Sequence, residues 1–480
     1  KSKIARVIPV YKNKGKKQHY DNYRPISLLP IFSKIMERLI YNKVFEFLVR
    51  YEILFKSQYG FRTGHNTTHA TLDFLKTIED AFEKDEVAIG VFCDLSKAFD
   101  TLNHQVLLEK LEHYGIRGMA HSWFETYLKD RSQFVDWNGH KSSNQPIETG
   151  VPQGSILGPL LFLICINDLQ SSANDLKCVM FADDSNLLIK GKDLNQMESC
   201  LNKNLEGIND YFKANKLKLN ANKTKMVCFS KKCQTTSLEN INIYLDGVKL
   251  KFDDEASFLG ITVDSRLKWD SHCNKVANKI SKNSSAINRV KKMLPPESLK
   301  TLYNSLILPH IQYGLVLWGK CTGPNKNRIH AIQKRIVRTV SKSYFTSHTE
   351  PRMKKLKILK IEDLYKLQCD TLVYDCLNNL APKGICSLVA LKTDKNDYSL
   401  RATIQNPLDI NKANYNSKQG KCSFKAQAPD HWNSLPGSIR ELDKRNSFKN
   451  QAKKLILTEY ALNVHCSNPL CRDRRHHLGV

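Results

Sequence analysis

"KCVMFADDSNLLIK", residues 177–190, sets two adjacent carboxylates, Asp183 and Asp184, inside an otherwise apolar run. Val179, Met180 and Phe181 on one side and Leu187, Leu188 and Ile189 on the other read as two buried strands joined by a tight polar turn. Like charges side by side against a core are costly unless a cation sits on them. Ala-Asp-Asp-Ser is also good turn chemistry, so a hairpin tip facing water would account for the same residues. The rest of the chain has to decide.

A third carboxylate weighs on that choice. "VAIGVFC" (87–93) is a continuous apolar run, and Asp94 follows it at once. The run reads as a buried strand, and its carboxyl end is where open sheets hold their sites. If this strand pairs with the hairpin, three carboxylates meet at one edge. Such a trio stays ionised only with cations on it, and hard oxygen ligands select Mg²⁺ or Mn²⁺. Two divalent ions about 4 Å apart are the common solution for in-line phosphoryl transfer.

The chain has 480 residues, 41% hydrophobic and 25% charged, as expected of a globular protein long enough for more than one domain. Its charge is unusual: 74 Lys and Arg against 47 Asp and Glu leave +27. Between Lys275 and Lys360 stand 19 Lys and Arg against only Glu297 and Glu350, so 17 of the 27 net charges fall there. A block this basic implies a polyanionic partner, although a solvated surface would also carry it. Fourteen cysteines lack the spacing of a disulfide scaffold, and Cys93, Cys165, Cys178 and Cys228 sit in apolar runs. They read as reduced core thiols of an intracellular protein. "SILGPLLFLICI" (155–166) is the most apolar run, carries Gly158 and Pro159, and is too short to span a bilayer, so no membrane partner is expected. No secretory signal is visible, and a start at Lys1 in mid-pattern leads us to expect a piece of something longer.

Along the chain, "RVIPVYKNKGKKQHYDNYRPISLL" predicts a strand, a lysine-rich loop and a second strand. "FSKIMERLIYNKVFEFLVRY" has helical spacing, with Ile35, Leu39, Lys43 and Phe47 one turn apart and Ile40, Val44 and Leu48 beside them. Residues 86–115 read as a buried strand, a loop and an amphipathic helix on Leu107, Leu108, Leu111 and Tyr114, stopped by Gly115. Two hairpin-like pairs follow at "INIYLDGVKLKF" and "ASFLGITVDS", and beyond about residue 266 the pattern is mostly helical. A second break falls at "SHTEPRMKK" (347–355).

In that order and spacing, "FCDLSKAFDTLNH" (92–104), "GVPQGSILGPLLFLICINDL" (150–169) and "FADDSNLLI" (181–189) resemble motifs A, B and C of a reverse transcriptase. The resemblance is to the LINE-type (non-LTR) retrotransposon group, jockey-like elements above all. "YRPISLLPIFSKIMERLI" and "QYGFRTGHNTTHA" are similar to its finger segments, and "NKLKLNANKTKMVCF" to its motif D. "FLGITVDSRLKW" follows, and "SLILPHIQYGLVLWG" is similar to the thumb. The likeness runs from residue 1 to about 345, and "FKAQAPDHWNSLPGSIRELDKRNSFK" resembles the C-terminal extension of the same elements.

This resemblance implies an α/β (α+β) right-hand polymerase. Fingers and palm would occupy 1–265, with a palm sheet and helical fingers. A basic helical thumb would follow over 266–345, and a helical, nucleic-acid-binding extension over 346–480. It implies RNA-directed DNA synthesis by two-metal nucleotidyl transfer, in service of target-primed copying. The partners would be template RNA, a DNA primer or target DNA, and dNTPs. An endonuclease upstream in the same polyprotein and action in the nucleus are also implied. An inactive or domesticated nucleic-acid-binding derivative is the alternative, against which the intact Asp94, Asp183 and Asp184 speak.

Residue by residue, the resemblance makes Asp94, Asp183 and Asp184 the metal-binding triad. Phe99 becomes the bulky gate that collides with a ribose 2′-OH. Gln153 and Gly154 lie in the loop under the incoming nucleotide, where glycine permits close backbone approach. Lys223 matches the lysine that protonates the departing pyrophosphate, with Lys225 too near in sequence to set aside. Arg24 and Lys34 match the triphosphate grip, and Arg62 a template contact. Taken singly, Phe99 is more often core than gate and Lys34 and Lys223 are more often solvated surface, while Gly154 reads also as a turn glycine. Ser185 stands where many relatives carry threonine and keeps the hydroxyl.

In "NRIHAIQKRIVRTVSK", Ile329, Ile332, Ile336 and Val340 form one helical stripe, while Lys334, Arg338 and Lys342 fall on another at i, i+4 and i+8. That predicts a helix packed on one face and offering cations to the backbone of an RNA–DNA duplex on the other. At the C-terminus, Cys466, Cys471 and His476 or His477 do not match the closed Cys/His spacings, so structural zinc is not expected.

Overall fold

The computed structural model describes residues 3–95, 98–231, 238–392 and 407–460. Cys466, Cys471, His476 and His477 lie outside them. The chain divides into two compact units. The first holds the stretch up to His65, Ala88–Cys228 and the residues leading to Asp253. The second holds Asn66–Val87 and the chain from Asp254 onward, with a short piece beginning at Phe229. The helix Thr67–Glu83 and the hairpin of Glu255–Phe258 and Ile261–Asp264 thus group with the C-terminal half.

Among the described residues the first unit contains two larger sheets and the two-stranded pair of Tyr244–Leu245 with Val248–Lys249. In one, the predicted strands Ile4–Tyr11 and Tyr23–Leu28 pair antiparallel, Val10 facing Arg24, and Ser132–Trp137 joins the first in parallel. The other sheet runs in the order Lys177–Phe181, Asp184–Gly191, Val87–Cys93, Lys225–Phe229. Every residue of Val87–Cys93 is buried, which is why that stretch reads as unbroken apolar sequence.

Helix His104–His113 turns Leu107 and Leu111 inward and packs on the apolar helix Gly158–Cys165. Gly115, at φ +92°, supplies the left-handed turn after it. Lys110 locks the pair: its ammonium donates to the Cys165 carbonyl (2.5 Å), to Asp168 Oδ1 (2.6 Å) and to the Tyr211 hydroxyl (3.0 Å).

Helix Ile31–Arg50 departs from the expected burial. Ile35 and Leu39 are about half exposed, and the buried line is Glu37, Val44 and Leu48. A carboxylate takes the core position because it is fully engaged there, as described below.

The second unit is mostly helical, as predicted. Asp270–Val290, Pro296–Leu306 and Gly323–Val340 pack together. Ile361–Leu377 packs on Phe424–Trp432 and Arg445–Thr458, where the Tyr374 and Phe448 rings stack at 4.6 Å. Ile329, Ile336 and Val340 are buried as their spacing requires, and Gln333 joins them by bonding Tyr303 and the Leu359 carbonyl. The helix ends at Val340, however, and Lys342 sits beyond it at φ +52°. Lys342 therefore leaves the i, i+4, i+8 line on which its spacing had put it.

The cysteines of the described residues are free thiols, most of them buried. Among those residues no helix is long and apolar enough to cross a membrane.

Candidate active site

The opening hairpin folds as its sequence requires. Lys177–Phe181 and Asp184–Gly191 pair antiparallel with Phe181 opposite Asp184, leaving Ala182 and Asp183 as the turn. Ala182 adopts φ +55°, a left-handed conformation that costs an L-residue about 1–2 kcal/mol. It is held there by a neighbour. The Gln58 side-chain oxygen accepts from the Ala182 and Gly60 amides at 3.0 and 2.8 Å, and Tyr59 N donates to the Met180 carbonyl. Gly60 approaches the Ala182 backbone so closely that no Cβ fits between them.

The hairpin strand Asp184–Gly191 neighbours Val87–Cys93 in the sheet, which brings Asp94 to the same edge. The charges register one another. Asp183 is raised above the usual carboxylate range by burial, with Asp94 adding to the effect. Asp184 is pushed up to about 6, first by burial and then by Asp183 and Asp94. Its side chain still reaches water, and the two neighbouring carboxylates disfavour its charged form.

Lys223 answers this negative edge. The turn after Leu219 is tied to the strand end by Asn220 N donating to the Asp94 carbonyl (2.9 Å), and Lys223 Nζ stands 3.6 Å from Asp94 Oδ2. Lys225, its sequence neighbour, begins the next strand and pairs with Asp253 instead. Both pairs are half open to solvent, where one such contact is worth under about 1 kcal/mol.

Three hard carboxylates at one sheet edge fit a divalent cation by charge and by ligand chemistry. Among the described residues, though, no three His, Cys, Asp or Glu side chains converge closely enough to cage an ion. Drawing the oxygens closer without a cation would only increase the repulsion that Asp184 already registers.

A second group builds the neighbouring wall. Val151 N donates to the Phe99 carbonyl, Gly150 N to the Leu102 carbonyl, and Gln153 Nε2 to Asp100 Oδ1 at 2.9 Å. The same loop reaches the other sheet, where Ser27 N donates to the Gln153 carbonyl (2.7 Å). Gly154 has φ +125°, and a Cβ there would stand 2.6 Å from the Ser27 carbonyl oxygen. Glycine is required at that position on both counts. The Phe99 ring is half-buried, 4.8 Å from Phe162 and edge-on to Phe61 at 6.2 Å.

Glu37 holds this loop from behind. Its carboxylate accepts from the Ile156 amide (2.6 Å) and the Tyr127 hydroxyl (2.9 Å) while only 1% exposed. Neither Glu37 nor Gln58 is evident as a positioning residue in the sequence. For Glu37 a signal existed: it lies seven and eleven residues before Val44 and Leu48, on the same helix line.

The other expected residues fall in different settings. Arg24 is exposed on Tyr23–Leu28, the strand that carries Ser27, and Lys34 lies in the first turn of the next helix, Ile31–Arg50. Arg62 donates to the carbonyls of Phe55 and Gln58, so it braces the loop that supports Ala182, and burial lowers its pKa. Lys334, Arg338 and Lys342 all belong to the second unit.

The chain is 29% identical over 379 residues to the RNA-directed DNA polymerase from mobile element jockey of Drosophila melanogaster, covering 76% of this chain and 40% of that protein. It is 32% identical over 356 residues to the probable RNA-directed DNA polymerase from transposon BS of the same species, covering 71% and 38%. The chain thus spans about two fifths of the length of these relatives. Among solved structures, apo telomerase from Candida tropicalis aligns at 13% identity and a TM-score of 0.42, over 74% of this chain and 61% of that one. The family profile described as reverse transcriptase (RNA-dependent DNA polymerase) matches residues 12–263, just over half of the 480 residues. By that match the chain belongs to the reverse transcriptase family.

Proposed function

We propose that this chain is the RNA-directed DNA polymerase portion of a jockey-like non-LTR retrotransposon protein, a right-hand polymerase making DNA on an RNA template. The observation that carries the reading is the shared edge of Asp94, Asp183 and Asp184, where burial and then the two neighbouring carboxylates raise Asp184 to about 6. In this reading the three carboxylates hold two Mg²⁺ ions, for which Mn²⁺ can substitute. Bound there, the ions would supply the charge that activates the primer 3′-hydroxyl and stabilises the leaving pyrophosphate.

The chain's own residues do the rest. Phe99, backed by Phe162, presents a ring that excludes a ribose 2′-OH. Gln153 and Gly154 shape the floor under the incoming nucleotide, with Glu37 fixing the loop behind them. Arg24 and the helix-start Lys34 receive the triphosphate, the helix N-terminus adding its partial positive charge. Lys223, whose ammonium stands 3.6 Å from Asp94 Oδ2, donates its proton to the leaving pyrophosphate. Template RNA, a DNA primer or target DNA and dNTPs are the partners. An endonuclease elsewhere in a longer protein, target priming and nuclear action complete the reading.

Primer extension on poly(rA)–oligo(dT) with dTTP and Mg²⁺ tests it, with an Asp183→Asn, Asp184→Asn variant alongside. Synthesis by the parent chain and none by the variant is the expected result. If neither extends the primer and both bind the duplex with the same salt dependence, the chain is a nucleic-acid-binding module.

A further inference from the structure

Five of the 19 Lys and Arg between Lys275 and Lys360 line one cleft of the second unit. The ends of Asp270–Val290 and Gly323–Val340 frame a cavity of about 580 Å³ lined by Lys291, Lys292, Arg335, Arg338, Lys342 and Phe345, with no carboxylate in its wall. Lys334 is not among the lining residues, while its neighbour Arg335 is. Helix C-termini attract cations, but two of them supply only about one negative charge in all. Five cations exceed that several-fold, so the cleft stays strongly positive.

Phe345 is what a plain anion site does not explain. Its ring is 79% exposed, beside Tyr344 at 62%, in a wall otherwise made of cations and the neutral polar side chains of Asn288, Thr339 and Ser343. The Arg338 guanidinium lies over the ring at 5.8 Å, held by a 2.8 Å bond from Nε to the Ser347 carbonyl. A phenyl ring with a fixed cation beside it and open surface remaining is a stacking platform. The volume suits a ligand of nucleotide size.

We propose that this cleft binds single-stranded nucleic acid, stacking one unpaired base on Phe345 and holding the flanking phosphates on Lys291, Lys292, Arg335 and Lys342. An intact duplex hides its base faces, so it can satisfy the cations but not the ring. The site therefore differs in kind from the duplex-backbone track expected along the helix face. RNA and DNA strands share the required chemistry. The cleft lies wholly within the second unit and does not depend on polymerase activity.

The test is fluorescence anisotropy of labelled short oligo(rU), oligo(dT) and an abasic strand of equal charge, each with excess blunt duplex to occupy duplex-binding surfaces. The full chain is compared with its Phe345→Ala, Phe345→Trp and Lys291→Gln, Lys292→Gln variants. Phe345→Ala should weaken base-bearing strands about tenfold or more, leave the abasic strand unchanged, and be rescued by Phe345→Trp. The double lysine variant should weaken every strand and flatten the salt slope by roughly 1.4. A loss confined to oligo(rU) assigns the site to RNA, and an equal loss with oligo(dT) to either strand. Unchanged affinity in Phe345→Ala, an equal loss on the abasic strand, or displacement of all strands by duplex would overturn the proposal. Primer extension by the same preparations reads the polymerase separately, so either conclusion can fail alone.

Discussion

Phe99 is the residue at which the proposed choice of dNTP over rNTP rests on a single side chain. Its ring rests on Phe162 and Phe61, and its backbone carbonyl anchors Val151, so it is both a packing residue and a wall of the candidate nucleotide site. Phe99→Val keeps an apolar contact while removing the ring. We expect rNTP incorporation relative to dNTP to rise about tenfold or more, read by single-nucleotide extension on one primer–template. An unchanged ratio would reduce Phe99 to core. At this scale the sequence is most readable where chemistry is rare: two adjacent aspartates in an apolar run, or a glycine at φ +125°. It is least readable where chemistry is common. Lys223 and Lys225 are indistinguishable in "NANKTK", and only the fold sets one against Asp94 and the other against Asp253. Arg62 is likewise ambiguous until its carbonyl partners are known.

Among the elements, the helix Ile31–Arg50 teaches the most. Apolar periodicity alone predicts Ile35 and Leu39 inside, whereas the chain buries Glu37 and leaves both of them half exposed. Pattern reading excludes charge from cores, and it fails where a carboxylate finds both of its acceptor duties within the fold. Glu37→Gln offers an amide N–H to one of two groups that both donate. That loss is of the order of 1–3 kcal/mol. We expect a lower urea midpoint together with weaker dNTP use, since the loop of Gln153 and Gly154 hangs on the Ile156 bond. A wild-type midpoint would remove Glu37 from the account. Helix ends are the other source of difference: Val340 closes its helix, so Lys342 turns toward Lys291 and Lys292 in the cleft instead of extending a stripe.

For the whole molecule, the α/β class, the buried strand before Asp94 and the helical second half were all legible, because unbroken apolar runs and helical spacing are set by burial alone. Which segments share a unit was not. Helix Thr67–Glu83 sits between two stretches of the first unit in sequence, yet packs with the second through contacts that periodicity cannot specify. The concentration of 17 of the 27 net charges between Lys275 and Lys360 was visible at once, but that five of those cations line one cleft with an open aromatic ring needed the fold.

That Asp94, Asp183 and Asp184 act as one cation site is tested most directly by Mn²⁺ binding, read by electron paramagnetic resonance with primer–template and dNTP present. The parent chain should deplete the free Mn²⁺ signal, and both Asp94→Asn and the Asp183→Asn, Asp184→Asn variant should lose most of that depletion. Equal depletion by all three chains would contradict the shared site and return the hairpin to a solvent-facing turn.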